Sequence, residues 1–237
     1  MEKKRIHYID VIEAVSMFAI CFTHYSELLK PNYFDNFIDM FCFMGVSCFF
    51  MANGALLLNK ENFDIKNHFR KTAMIFLVLL VWEAISLIYF SFLYKRNMSE
   101  YALFDVFSYF LGDLRWGLPT GHFWFIRALI SIYIIFPLLK KCFDENPKLL
   151  LILIGAIIIG KFIPSDFNHV QVFLLRKNKN YVYFNLYVMT EYVPFGKYME
   201  HLVYFLLGGF LHKLFYIEKR NIVSYQDIVI KTASVFG

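Results

Sequence analysis

Three ionisable side chains, Asp10, Glu13 and His24, stand inside one apolar, helix-length run, Tyr8–Tyr25, which reads YIDVIEAVSMFAICFTHY. Such groups are costly in lipid, and by default they mark a functional site. Asp10, Glu13, Met17, Ile20 and His24 recur at three- and four-residue steps. At about 100° per residue they fall on one stripe of a helix. Glu13 and His24 are eleven residues apart, which is roughly 16 Å along the axis. That is too far for contact, and it suits two polar stations on one buried path. His24 is the candidate general base, because imidazole titrates near working pH and can take a proton from a hydroxyl. The competing role for His24 is a hydrogen bond to a neighbouring helix.

The other ionisable groups divide in the same way. Asp10 is near the start of its run, where a carboxylate also favours the positive end of the helix dipole. Glu13 is deeper and needs a cation or a proton to be tolerated. His122, beside Trp124, could face an acceptor at a membrane surface, or both could belong to an interfacial aromatic belt. Arg127 and Glu83 carry opposite charges on adjacent apolar runs and suggest an ion pair. Arg70 and Lys71, with Lys66, form a basic cluster that could hold the phosphates of a nucleotide-bearing donor. Ordinary enrichment of bases on the cytoplasmic face is the simpler account of them.

The elements that must position these groups are membrane spans. The chain has 237 residues, of which 59% are hydrophobic and only 18% charged, and its mean hydropathy is +0.50. A soluble domain is less apolar, with about a quarter of its residues charged. The fold class expected is all-α, a polytopic helical bundle forming one domain over residues 1–237. Six spans are expected, near 9–29, 37–58, 72–94, 122–139, 149–164 and 198–216, followed by the start of a seventh. Asn53-Gly54-Ala55 could bend the second span. Asn59–Lys71 reads as a polar connection, and Lys140 and Lys141 as the close of the fourth span. Lys161 is near enough to a span end to snorkel to water. The long connections 95–121 and 165–197 carry aromatic residues that suggest segments lying on or re-entering the membrane.

Lys and Arg concentrate in the segments that are cytoplasmic if the N-terminus is cytoplasmic. His24 and His122 then lie toward the outer leaflet, with Arg70 and Lys71 at the cytoplasmic mouth. The net charge of +5 follows from that loop bias and implies no nucleic-acid partner. The acidic pair interrupts the first apolar run, so it reads as an uncleaved span and not as a signal peptide. Cys21, Cys42, Cys48 and Cys142 show no metal-ligand or disulfide spacing. No glycine-rich phosphate loop, zinc signature or nucleophile elbow is present.

Five stretches together resemble one family. RIHYIDVIEAVSMFAICFTHYS, MGVSCFFMANGALLL, FRKTAMIF, HFWFIRALISIYIIFPLL and YFLLGGFLHKL follow, in order, the spans of the membrane-bound acyltransferase family 3. That family includes surface-polysaccharide O-acetyltransferases. The resemblance implies transfer of an acyl group, commonly acetyl, from cytoplasmic acyl-CoA to a hydroxyl of an extracytoplasmic glycan, in the cell membrane and without a metal. It puts His24 at the catalytic histidine. Beside that, the residues themselves offer Glu13 as a second catalytic candidate, His122, Trp124 and Asp10 as acceptor-side candidates, and Arg70, Lys71 and Arg127 as donor-side candidates. The sequence departs from the family at Glu13, where an arginine is usual, and a carboxylate cannot bind an anionic donor as an arginine does. The chain is also shorter than the family's usual span count, so a shortened, inactive relative is a second expectation. A third is a non-enzymatic polysaccharide exporter or flippase-like component, in which the polar stripe lines a glycan path.

Overall fold

The computed structural model describes residues 6–26, 33–93, 123–175 and 199–218, and among them there is helix and no strand. The helices are α1 (His7–Ser26), α2 (Tyr33–Leu58), α3 (Ile65–Leu93), α4 (Trp124–Glu145), α5 (Pro147–Ile157), α6 (Ile163–Leu175) and α7 (Met199–His212). A π-helical turn, Ile158–Phe162, joins α5 to α6, and a second, Lys213–Glu218, continues α7. Two stretches, Ile65–Leu93 and Pro147–Phe167, are long and apolar enough to cross a membrane. The chain divides into two compact units: residues 1–61 with 140–237, and residues 62–139. The division falls within α4.

In the first unit α1, α2 and α7 pack through small residues. Ile9 near the start of α1 is buried against Ala52 and Ala55 near the end of α2. Farther along α1, Ser16 and Ala19 lie over Gly45, where an added Cβ would come within 2.9 Å of both. The contacts advance in opposite senses, so α1 and α2 are antiparallel. Between α2 and α7 they advance together. Phe50 stacks on His201, Gly54 meets the carbonyl of Phe205, and Leu58 lies on Gly209. A Cβ at Gly54 would fall on the Phe205 carbonyl, and one at Gly208 would fall on the backbone of Met51. Close backbone approach of this kind is how helices associate where lipid supplies no hydrophobic drive. Asn53-Gly54-Ala55 does not interrupt α2, which runs unbroken to Leu58.

The end of α2 is closed from a distance. Asn59 Nδ2 donates to the carbonyls of Ala55 and Gly209, each at 3.0 Å. Lys140 Nζ donates to the Leu58 carbonyl at 2.9 Å and pairs with Asp144 at 2.7 Å. A cation suits the negative end of a helix. The helix itself does not end at Lys140 and Lys141, since α4 continues through both to Glu145.

Two other boundaries also move. α3 starts at Ile65, inside the segment expected as a connection. Asp64 makes the difference: its Oδ1 accepts from the backbone N–H groups of Lys66 at 3.0 Å and Asn67 at 3.3 Å, as an N-cap does. The fifth span was expected to stop at Pro164, but helix continues to Leu175. Proline lacks the N–H that would bond four residues back. The π turn just before it absorbs that loss, with the Ile163 N–H reaching back to the Ile158 carbonyl.

Proline has a different partner in α4 of the second unit. Pro137 is inside the helix, so the Tyr133 carbonyl, four residues back, loses its usual donor. His68 of α3 supplies one, with Nε2 at 2.8 Å from that oxygen. His68 is buried and packs on Phe63 and Phe136.

Candidate functional site

Asp10 and Glu13 occupy the first two turns of α1, half-buried, to one side of the Ile9–Ser16 face that packs on α2. Ile20 is half-buried and Met17 is 49% exposed. His24 lies in the last part of α1, and its side chain is outside the described residues. Phe18 on the opposite side of the helix is 74% exposed. α1 thus shows three faces: a packed one, a polar stripe beside it, and an apolar one turned outward.

The second unit holds Arg70, Lys71, Trp124 and Arg127; His122 is outside the described residues. Arg70 and Lys71 are exposed in the first turns of α3, and Arg70 donates to the Asn67 amide oxygen at 3.2 Å. Trp124 begins α4 edge-on to Phe125. Arg127 is paired with Glu83 on α3, whose carboxylate side chain is fully buried. From Arg70 to Glu83 is thirteen residues, or roughly 20 Å along the axis. The basic cluster and the ion pair are therefore separate features of α3. Breaking such a pair leaves a charge buried without compensation, which gives it a structural part at the least.

Two polar groupings in the first unit were not expected. Lys161, in the π turn, forms an ion pair with Glu200 of α7, and His201 lies 3.8 Å from the other Glu200 oxygen. Lys161 thus has a carboxylate partner at the head of α7. Glu200-His201 gave the same signal as Asp10 and Glu13, ionisable groups leading an apolar run. At the end of α7, the His212 ring is hydrogen-bonded through Nδ1 to the Tyr8 hydroxyl and stacked on Tyr216. No spacing rule links residues 8 and 212.

Outward-facing large apolar side chains, and two helices long and apolar enough to cross a bilayer, suit a membrane protein. The comparison with protein families then narrows the class. A family model described as an acyltransferase domain matches residues 6–229, nearly the whole chain. The chain belongs to the acyltransferase 3 family. Comparisons with curated proteins and with solved structures found no match.

Proposed function

We propose that the protein transfers an acyl group, acetyl in the first instance, from cytoplasmic acyl-CoA to a hydroxyl of an extracytoplasmic cell-envelope glycan. The family match over residues 6–229 carries this reading. The stripe of Asp10 and Glu13 on α1 supports it, because it leads along the helix toward His24. The parallel course of α2 and α7 also supports the six-span arrangement, since an odd number of crossings must separate helices that run the same way. With the N-terminus cytoplasmic, Arg70 and Lys71 open α3 on the side where the donor enters. Their exposure suits contact with its phosphates.

In this mechanism His24 takes the proton of the acceptor hydroxyl as the oxygen attacks the thioester carbonyl. The carbon–sulfur bond breaks, and the coenzyme A thiolate takes the proton from the imidazolium. No covalent enzyme intermediate is needed. The test is incubation of membranes with radiolabelled acetyl-CoA. His24→Ala should lower incorporation by about 10²–10⁴-fold, the usual range for general-base catalysis. Unchanged incorporation would remove His24 from the mechanism. In the same assay, Arg70→Ala with Lys71→Ala should raise KM for acetyl-CoA and leave kcat in place, because the contact is the same in ground and transition states. A fall in kcat at constant KM would argue against a phosphate-binding role.

A further inference from the structure

Between α1, α2 and α7 is a cavity of about 320 Å³, at the lower end of the roughly 300–1,000 Å³ common for ligand sites. Its polarity is graded along the helix axes. The deep end is apolar, walled by Ile12, Met51 and Gly208. The rim, where α1 begins and α7 ends, carries Tyr8, His212 and Tyr216. Small side chains line its α2 wall at Ala52 and Ala55, and Gly208 brings the α7 backbone against Met51 at its floor. His212 is only 6% exposed. Tyr8 engages its Nδ1, and Nε2 is the ring nitrogen that remains for an occupant.

We propose that this cavity binds one acyl chain of a membrane phospholipid, with the ester and phosphate oxygens of the lipid at the Tyr8–His212–Tyr216 rim. The match is one of shape and polarity together. A phospholipid in a bilayer has an apolar chain pointing inward and hydrogen-bond acceptors at the interface. The cavity has apolar walls inward and hydroxyl and imidazole groups at the helix ends. Tyrosine is favoured at that depth because its ring is apolar and its hydroxyl polar. The acyl donor fits less well. On α1, Tyr8 and Ile12 lie roughly 150° round the helix from Asp10 and Glu13, so the cavity opens away from the polar stripe. The site thus lies outside the proposed transfer path, and it rests on the membrane setting and not on the reaction.

The full chain would be placed in phosphatidylglycerol–phosphatidylethanolamine vesicles containing a phospholipid with a diazirine midway along one chain. After irradiation, labelled peptides are quantified. Peptides covering Ile9–Ile12 and Leu211–Tyr216 should carry roughly tenfold more label than the exposed face of α3 at Ile85–Phe92, equivalent to about 1.4 kcal/mol of preference. Leu211→Trp fills the cavity from its α7 wall and should reduce that label to the α3 level. Ile12→Trp fills it from α1 and serves if the first variant does not fold. Ala14→Trp, at an exposed position roughly 140° round α1 from Tyr8 and Ile12, should leave the label unchanged. Equal label at all outward faces, or label insensitive to both filling variants, would mean bulk lipid only and overturn the proposal. Suppression of the cavity label by added acetyl-CoA would overturn it too, by giving the space to the donor. Label is read without acyl transfer, so an inactive enzyme leaves the result interpretable.

Discussion

At the scale of single residues, Glu13 sets the sharpest question. It is half-buried in the second turn of α1, at the place where relatives are expected to carry a cation. Either the donor is held by other bases, or Glu13 limits the reaction. Glu13→Arg should therefore raise acetyl incorporation in the radiolabel assay. A fall to background would show that the carboxylate has its own part in this chain. The residues legible in sequence were those whose chemistry is costly where they stand. Asp10, Glu13, Glu83 and Arg127 all announce themselves as charges in apolar runs, and Glu83 and Arg127 do meet. Glu200 and His201 gave the same signal at the head of α7, and Lys161 answers it from the π turn. That pairing requires the turn, which local apolar pattern does not reveal. The Tyr8–His212 bond spans 204 residues and depends on the packing of α7 beside α1.

At the scale of elements, helix ends were legible where an apolar run met a clear stop, as at Leu58. They were not legible where a side chain altered the rule. Asp64 starts α3 early by capping it. The π turn lets α6 carry Pro164. Pro137 stays within α4 because His68 satisfies the carbonyl it strands. This last device makes a quantitative claim. His68→Leu should destabilise the protein by about 1–3 kcal/mol, the cost of a buried carbonyl without a donor. In a Pro137→Ala background the helix supplies its own N–H, so the cost of His68→Leu should shrink. Chemical unfolding of the four variants in detergent gives the coupling energy. Additive effects would mean that His68 acts by packing on Phe63 and Phe136 alone.

At the scale of the whole molecule, direction across the membrane decides whether the site can work as proposed. Donor contacts at the start of α3 must face the cytoplasm. In a variant with its native cysteines replaced by serine, Lys66→Cys should react with a membrane-impermeant maleimide in inside-out vesicles and not in intact cells. The reverse pattern would invert the arrangement and separate Arg70 and Lys71 from cytoplasmic acyl-CoA. Composition and loop charge made the helical membrane class legible, whereas pairwise helix contacts depend on which glycine meets which backbone. The meeting of α2 with α7 has a consequence in time. Asn59 and Gly209 are 150 residues apart in the chain. At about 5–20 residues per second, a ribosome needs roughly 8–30 s to travel that distance. Through that interval α2 has emerged with its Gly54 groove and no α7 to seat in it, so the nascent chain must be held against premature or mistaken partners until the last described helix arrives.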